Sequence, residues 1–168
     1  AGAVILGRSE SEDRGILSTH LHSEGTHAEE LYCIAPSSSG KVRISQEMID
    51  RGDFFLKMNG NAVFKHAVVR FMEVIQEALD ANGLKKEDLD LLVPHQANLR
   101  ISQYIQQKLK LPDEKVFNNI MYLGNTTAGT IPIALSQAWE QGRVKEGDLV
   151  CLAAFGSGFT WSSALIRW

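Results

Sequence analysis

At 168 residues, with 44% hydrophobic and 22% charged content, the chain is long enough to close one hydrophobic core and too apolar to resemble a disordered segment. Its formal net charge of −3 argues against a dedicated nucleic-acid binder, which needs clustered basic residues to neutralise phosphates. No apolar run reaches the ~20 residues of a membrane span, and no secretory leader is visible.

The chain opens on "AGAVILG", a run of β-formers with no initiator methionine and no turn before it. That abrupt start predicts one piece of a longer protein. The polar "RSESEDRG" and the alternating "ILSTHLHS" complete the pattern of a hairpin over residues 1–25. From Gly25 to Asp53 the composition is mixed, with "PSSSG" marking a loop and "VRISQEMIDRG" holding a short helix.

A long helix is predicted next. "NGNAVFKHAVVRFMEVIQEALDANG" opens on capping residues and closes on Asn-Gly. Phe64, Ala67, Val68, Phe71, Val74, Ile75, Ala78 and Leu79 recur at three- and four-residue intervals, so one broad face is apolar. "KKEDLDLLVPH" reads as a charged turn entering a buried strand that ends at His95. "QANLRISQYIQQKLKL" is a second amphipathic helix, stopped at Leu111-Pro112. "KVFNNIMYLGN" reads as a strand with a loop, "TTAGTIPIALSQAWEQGRV" as a helix, and "GDLVCLAAFGSGFTWSSALIRW" as two strands around a glycine-rich corner. Strands alternating with helices imply an α/β layered fold, in which ligands gather at strand ends.

Three features fall at such ends. His95 is either a core histidine bonded to a backbone group or a neutral donor, set by Pro94 before it and by the helix start after it. Asn125 is either a loop and capping residue or an amide donor to a developing oxyanion. The corner Gly156-Ser157-Gly158 is a tight turn, an exposed row of backbone N–H groups, or both. His20, His22 and His27 lack metal-like spacing and are placed on a solvated face, and His66 lies in the long helix. Cys33 and Cys151 make neither a disulfide framework nor a metal set, which suits a reducing cytoplasm. Cys151, inside "LVCLAAF", has the setting of an inert strand thiol, and neither cysteine is a convincing nucleophile.

Taken together, "NGNAVFKHAV", "LLVPHQANLRI", "GNTTAGTIPIAL" and "AFGSGFTWSSALIRW" resemble the C-terminal portion of β-ketoacyl-acyl-carrier-protein synthase III over most of residues 54–168. The resemblance implies a thiolase-like fold of two α/β halves, with residues 26–168 forming the second half and the 1–25 hairpin completing the sheet of the first. It implies the condensation that initiates fatty acid synthesis: an acyl-CoA primer joins malonyl-acyl-carrier protein with loss of carbon dioxide. No cofactor or metal is implied.

His95 matches the family's catalytic histidine and Asn125 its asparagine, while the nucleophilic cysteine belongs to the N-terminal half. Gly156, Ser157 and Gly158 match the backbone oxyanion corner, although Ser157 stands where the family often has glycine. Asn61, Phe64, Ala97, Asn98 and Phe155 would line the pantetheine tunnel. Lys65, Arg100 and Lys108 would face the acidic carrier protein. The implied partners are the N-terminal half, the carrier protein, CoA thioesters and a second copy in a homodimer, all cytoplasmic. The alternatives are a non-catalytic module binding carrier protein or CoA thioester, or a related thiolase-fold enzyme using another primer. On the family's pattern, the fragment alone would be inactive in condensation.

Overall fold

A computed structural model describes residues 1–168. Its centre is a four-stranded sheet built from β1 (Gly15–Ser23), β4 (Leu91–Pro94), β5 (Leu149–Gly156) and β6 (Thr160–Arg167), ordered β1-β6-β5-β4. Strands β4 and β5 run parallel, with Leu91 opposite Val150 and Pro94 opposite Ala153, and the other two pairings are antiparallel. A separate two-stranded ribbon joins β2 (Leu31–Tyr32) to β3 (Lys57–Met58). No helix is long and apolar enough to cross a membrane.

The helices follow their sequence signals closely. In α2 (Gly60–Asp80) the Asn59 side chain accepts a hydrogen bond from the Ala62 N–H, and Ala67, Val68, Phe71, Val74, Ile75, Ala78 and Leu79 are buried. That stripe packs with α3 (Leu99–Leu109) on one face of the sheet, against Leu92, Cys151, Ala153, Phe155 and Leu165. The other face carries Leu91, Val93 and Val150, covered by Ala134, Leu135 and Ala138 of α5 (Thr130–Glu140). Helices therefore sandwich the sheet at β4 and β5, as the predicted order of elements requires. The short helix expected within residues 42–52 is α1 (Gln46–Asp50), capped by Ser45.

Two expectations need correction. The hairpin over 1–25 does not form, because residues 1–14 contain no strand and β1 pairs instead with β6. Local alternation marked the strand but carries no information about its partner. Val4, Ile5 and Leu6 are left exposed, Ile5 at 97%. The strand expected over "KVFNNIMYLGN" shrinks to a single bridge from Val116 to Leu92, and α4 (Ile120–Leu123) takes up the rest. Asn118 and Asn119 turn their side chains to Ser102 and Gln137, and the Asn119 and Ile120 N–H groups go to a side chain, so a ladder is not continued there.

Candidate active site

His95 follows the last residue of β4, and its backbone N–H donates to the Ala153 carbonyl at 2.7 Å, carrying the β4–β5 ladder one step further. Asn98 then caps α3 by accepting from the Arg100 N–H at 2.9 Å. The imidazole is half-buried, and burial lowers its pKa from the ordinary value of 6.5. It is therefore neutral at physiological pH, and its single ring hydrogen sits on one nitrogen only.

Nδ1 of His95 lies 2.5 Å from the Thr130 hydroxyl, which donates to the Thr127 carbonyl at 3.0 Å. That carbonyl already accepts the Thr130 backbone N–H. Its second lone pair takes the hydroxyl hydrogen as well, so the contact fixes where the ring points and not which nitrogen carries the ring hydrogen. The ring is uncharged, and Nε2 is the nitrogen away from Thr130.

The same contact draws the 124–130 loop to the end of β4. Gly124 adopts φ +68°, ψ −167°, a conformation that essentially only glycine reaches, and this sets Asn125 at the loop's turn. The Asn125 Oδ1 accepts the Thr127 N–H at 2.9 Å, so its turn role is real; its Nδ2 makes no hydrogen bond within the chain and is exposed. Thr127 itself sits at φ +53°, costly for a β-branched residue by about 1–2 kcal/mol. Strain of this kind concentrates where a loop has a task beyond connecting elements.

Gln96 went unnoticed in the sequence, and Thr130 with it. Gln96 is only 2% exposed; its Nε2 donates to the Pro94 carbonyl at 2.7 Å and to the Phe117 carbonyl at 3.3 Å, and its Oε1 accepts the Asn119 and Ile120 N–H groups at 3.0 and 3.2 Å. It brackets the end of β4 to the segment leading into α4. The available signal was a glutamine placed directly after a fully apolar strand. Gln96→Ala removes the acceptor of two backbone donors, each costing about 1–3 kcal/mol when left unpaired. We expect urea unfolding to show roughly 3 kcal/mol less stability; a midpoint equal to the unaltered chain would mean that the bracket contributes nothing.

At the β5–β6 corner, Phe155 is buried against Phe159 and Ser157 is exposed. Gly158 has φ +133°, and a Cβ there would meet Thr160 Cγ2 at 2.8 Å, so only glycine fits. Phe64 packs edge-on against Tyr104, joining α2 to α3, and Lys108 lies over the Tyr104 ring. Ala97 is half-buried, whereas Asn61, Lys65, Asn98, Arg100 and Lys108 are exposed. Asn61 and Lys65 lie at the start of α2, and Asn98, Arg100 and Lys108 on or beside α3, one structural unit through the α2–α3 packing. Burial pushes the Cys151 thiol up to about 12, so it is a protonated packing residue, as its strand context suggested. Cys33 is exposed.

A helix-covered mixed sheet, with a neutral histidine at one strand end and a glycine corner at the next, places the chain in the thiolase-like α/β class. Residues 79–168 match the family model for the C-terminal region of 3-oxoacyl-[acyl-carrier-protein] synthase III, and the chain belongs to that family. It is 49% identical to the β-ketoacyl-[acyl-carrier-protein] synthase III of Rhodospirillum centenum and, equally, to that of Alkalilimnicola ehrlichii, covering 100% of this chain and 50% of each relative. The solved 3-oxoacyl-[acyl-carrier-protein] synthase III of Aquifex aeolicus superposes with a TM-score of 0.82 at 39% identity, over 96% of this chain and 46% of that one. The chain thus spans about half the length of the curated relatives it matches.

Proposed function

We propose that this chain supplies the decarboxylation and oxyanion half of a condensing enzyme that initiates fatty acid synthesis. The observation that carries the reading is the Thr130–His95 contact, which holds a neutral imidazole at the strand end beside the Asn125 loop. In this reading His95 Nε2 and Asn125 Nδ2 both donate to the thioester oxygen of malonyl-acyl-carrier protein. They stabilise the enolate formed as carbon dioxide leaves. The C–C electron pair of the departing carboxylate becomes the nucleophile that attacks an acyl-cysteine thioester, and backbone N–H groups of Gly156–Gly158 receive the second oxyanion.

The cysteine comes from an N-terminal half, in keeping with a chain that spans half its relatives' length. Neither thiol here replaces it: Cys151 is sealed and protonated, and Cys33 belongs to a separate exposed loop. The exposed Val4, Ile5 and Leu6 are the residues expected to join that half's sheet. Asn61, Phe64, Ala97, Asn98 and Phe155 line the pantetheine arm. Lys65, Arg100 and Lys108 offer positive charge to the acidic carrier protein, since steering depends on a local patch rather than on net charge. The complete enzyme would act in the cytoplasm as a homodimer, without a cofactor.

The test is reconstitution. The 168-residue chain alone should give no condensation product from acyl-CoA and malonyl-acyl-carrier protein, and co-expression with a cysteine-bearing N-terminal half should restore turnover. Product formation by the chain alone would refute the division of labour.

A further inference from the structure

Spacing along the chain suggests no metal set, and only the fold brings Glu24, His27 and His66 together. One ligand atom from each lies within 4.8 Å of the other two. His27 and His66 face each other with ring centroids 4.1 Å apart, and His27 Nε2 lies 4.0 Å from Glu24 Oε1. Donors bound ~2.0–2.2 Å from a tetrahedral ion sit about 3.3 Å from one another, so side-chain adjustments of an ångström or so would close the set.

The surroundings resemble a supported site more than a chance surface cluster. Glu24 Oε2 is held by the Arg70 guanidinium at 2.9 Å, which orients the carboxylate and leaves Oε1 towards the histidines. Arg70 is itself shared with Glu73 at 2.8 Å, so two carboxylates face this one cation. Both imidazoles pack on Phe159, which is fully buried and gives the cluster an apolar wall. The backbone beneath is fixed, because Glu24 and Phe159 exchange both of their N–H···O bonds, at 2.7 and 2.6 Å.

We propose that Glu24, His27 and His66 bind one first-row divalent transition ion, of which Zn²⁺ is the working case. Two imidazoles and one carboxylate suit such ions, whereas Mg²⁺ and Ca²⁺ prefer all-oxygen shells. The ion is structural. It staples the segment after β1 and the α2 helix to Phe159, at the corner that carries the proposed backbone oxyanion donors, and takes no part in the condensation.

The test is calorimetric titration of the 168-residue chain with ZnCl₂ near neutral pH, with Co²⁺ absorption as a second readout of geometry. One ion per chain is expected, with Kd in the micromolar range or tighter and no competition from millimolar Mg²⁺. His66→Gln and Glu24→Gln should each weaken binding by at least about tenfold. Circular dichroism checks that both variants fold, and His27→Gln serves in place of either that does not. Cys33→Ser and His22→Gln should bind as the unaltered chain does; His22 belongs to a different cluster, beside His20 and Glu77. Undetectable binding, binding unchanged in folded ligand variants, or loss in Cys33→Ser or His22→Gln would each overturn the site. Because binding is read on the chain alone, these outcomes are independent of whether the condensing reaction is assigned correctly.

Discussion

His95→Ala, introduced into the complete two-half enzyme, is expected to lower malonyl decarboxylation by roughly 10² to 10³-fold, the typical loss for one oxyanion donor. Transfer of the primer acyl group to the cysteine should be affected much less, because that step develops charge on a different oxygen. Measuring carbon dioxide release and acyl-enzyme formation separately distinguishes the two. Equal loss in both steps would show that the ring serves general positioning rather than one carbonyl. The physical basis is the neutrality of His95: burial lowers its pKa, so the folded chain resists protonation that the unfolded chain accepts near the ordinary value of 6.5. Protons are then bound more readily by the unfolded state. The contribution of His95 to stability is fully present above that pH and declines as the pH falls below it.

Thr130→Val should reduce decarboxylation by about 10- to 100-fold while leaving the fold intact, and Thr130→Ser should restore most of it. Thr130 is a positioning residue: it is 2% exposed and reaches the reaction only through His95 Nδ1. With the hydroxyl present, Nδ1 keeps a hydrogen-bond partner and the ring is held in one orientation. With valine, the ring loses that partner, and both its orientation and the placing of its hydrogen are freed. Nitrogen-15 chemical shifts of His95 in the isolated chain report this directly, since the two ring nitrogens differ strongly when one is protonated. The pH profile offers a second readout, because a ring lacking its hydroxyl partner should titrate differently. An unchanged tautomer with lost activity would show that Thr130 acts through packing alone.

Much of this architecture could be read from the residues in order. The apolar stripe of α2, its Asn59 cap, the buried β4, and the β5–β6 pair around glycine all arise from local period, capping and backbone freedom. Each is decided within a few residues of chain. So was the placement of His95 at a strand end, since Pro94 and the Asn98 cap bound it on either side.

The partnerships were decided elsewhere. Strand β1 carries its alternation wherever it pairs, and only the assembled sheet joins it to β6 rather than to residues 1–14. The run Lys115–Asn119 is rich enough in apolar residues to suggest a strand, but Gln96 takes the Asn119 and Ile120 N–H groups that a ladder would use. Thr130 lies 35 residues from His95 and Gln96 lies 23 from Asn119, separations at which neither hydrogen bond leaves a trace in periodicity or composition. Glu24 and His66 likewise meet only because α2 packs over β1 and the segment that follows it. Neighbours along the chain suffice for the long helices, for β4 to β6 and for His95 at a strand end, because period and capping act over a few residues. Only the fold settles what meets His95 Nδ1, because Thr130 comes to it from a distant helix.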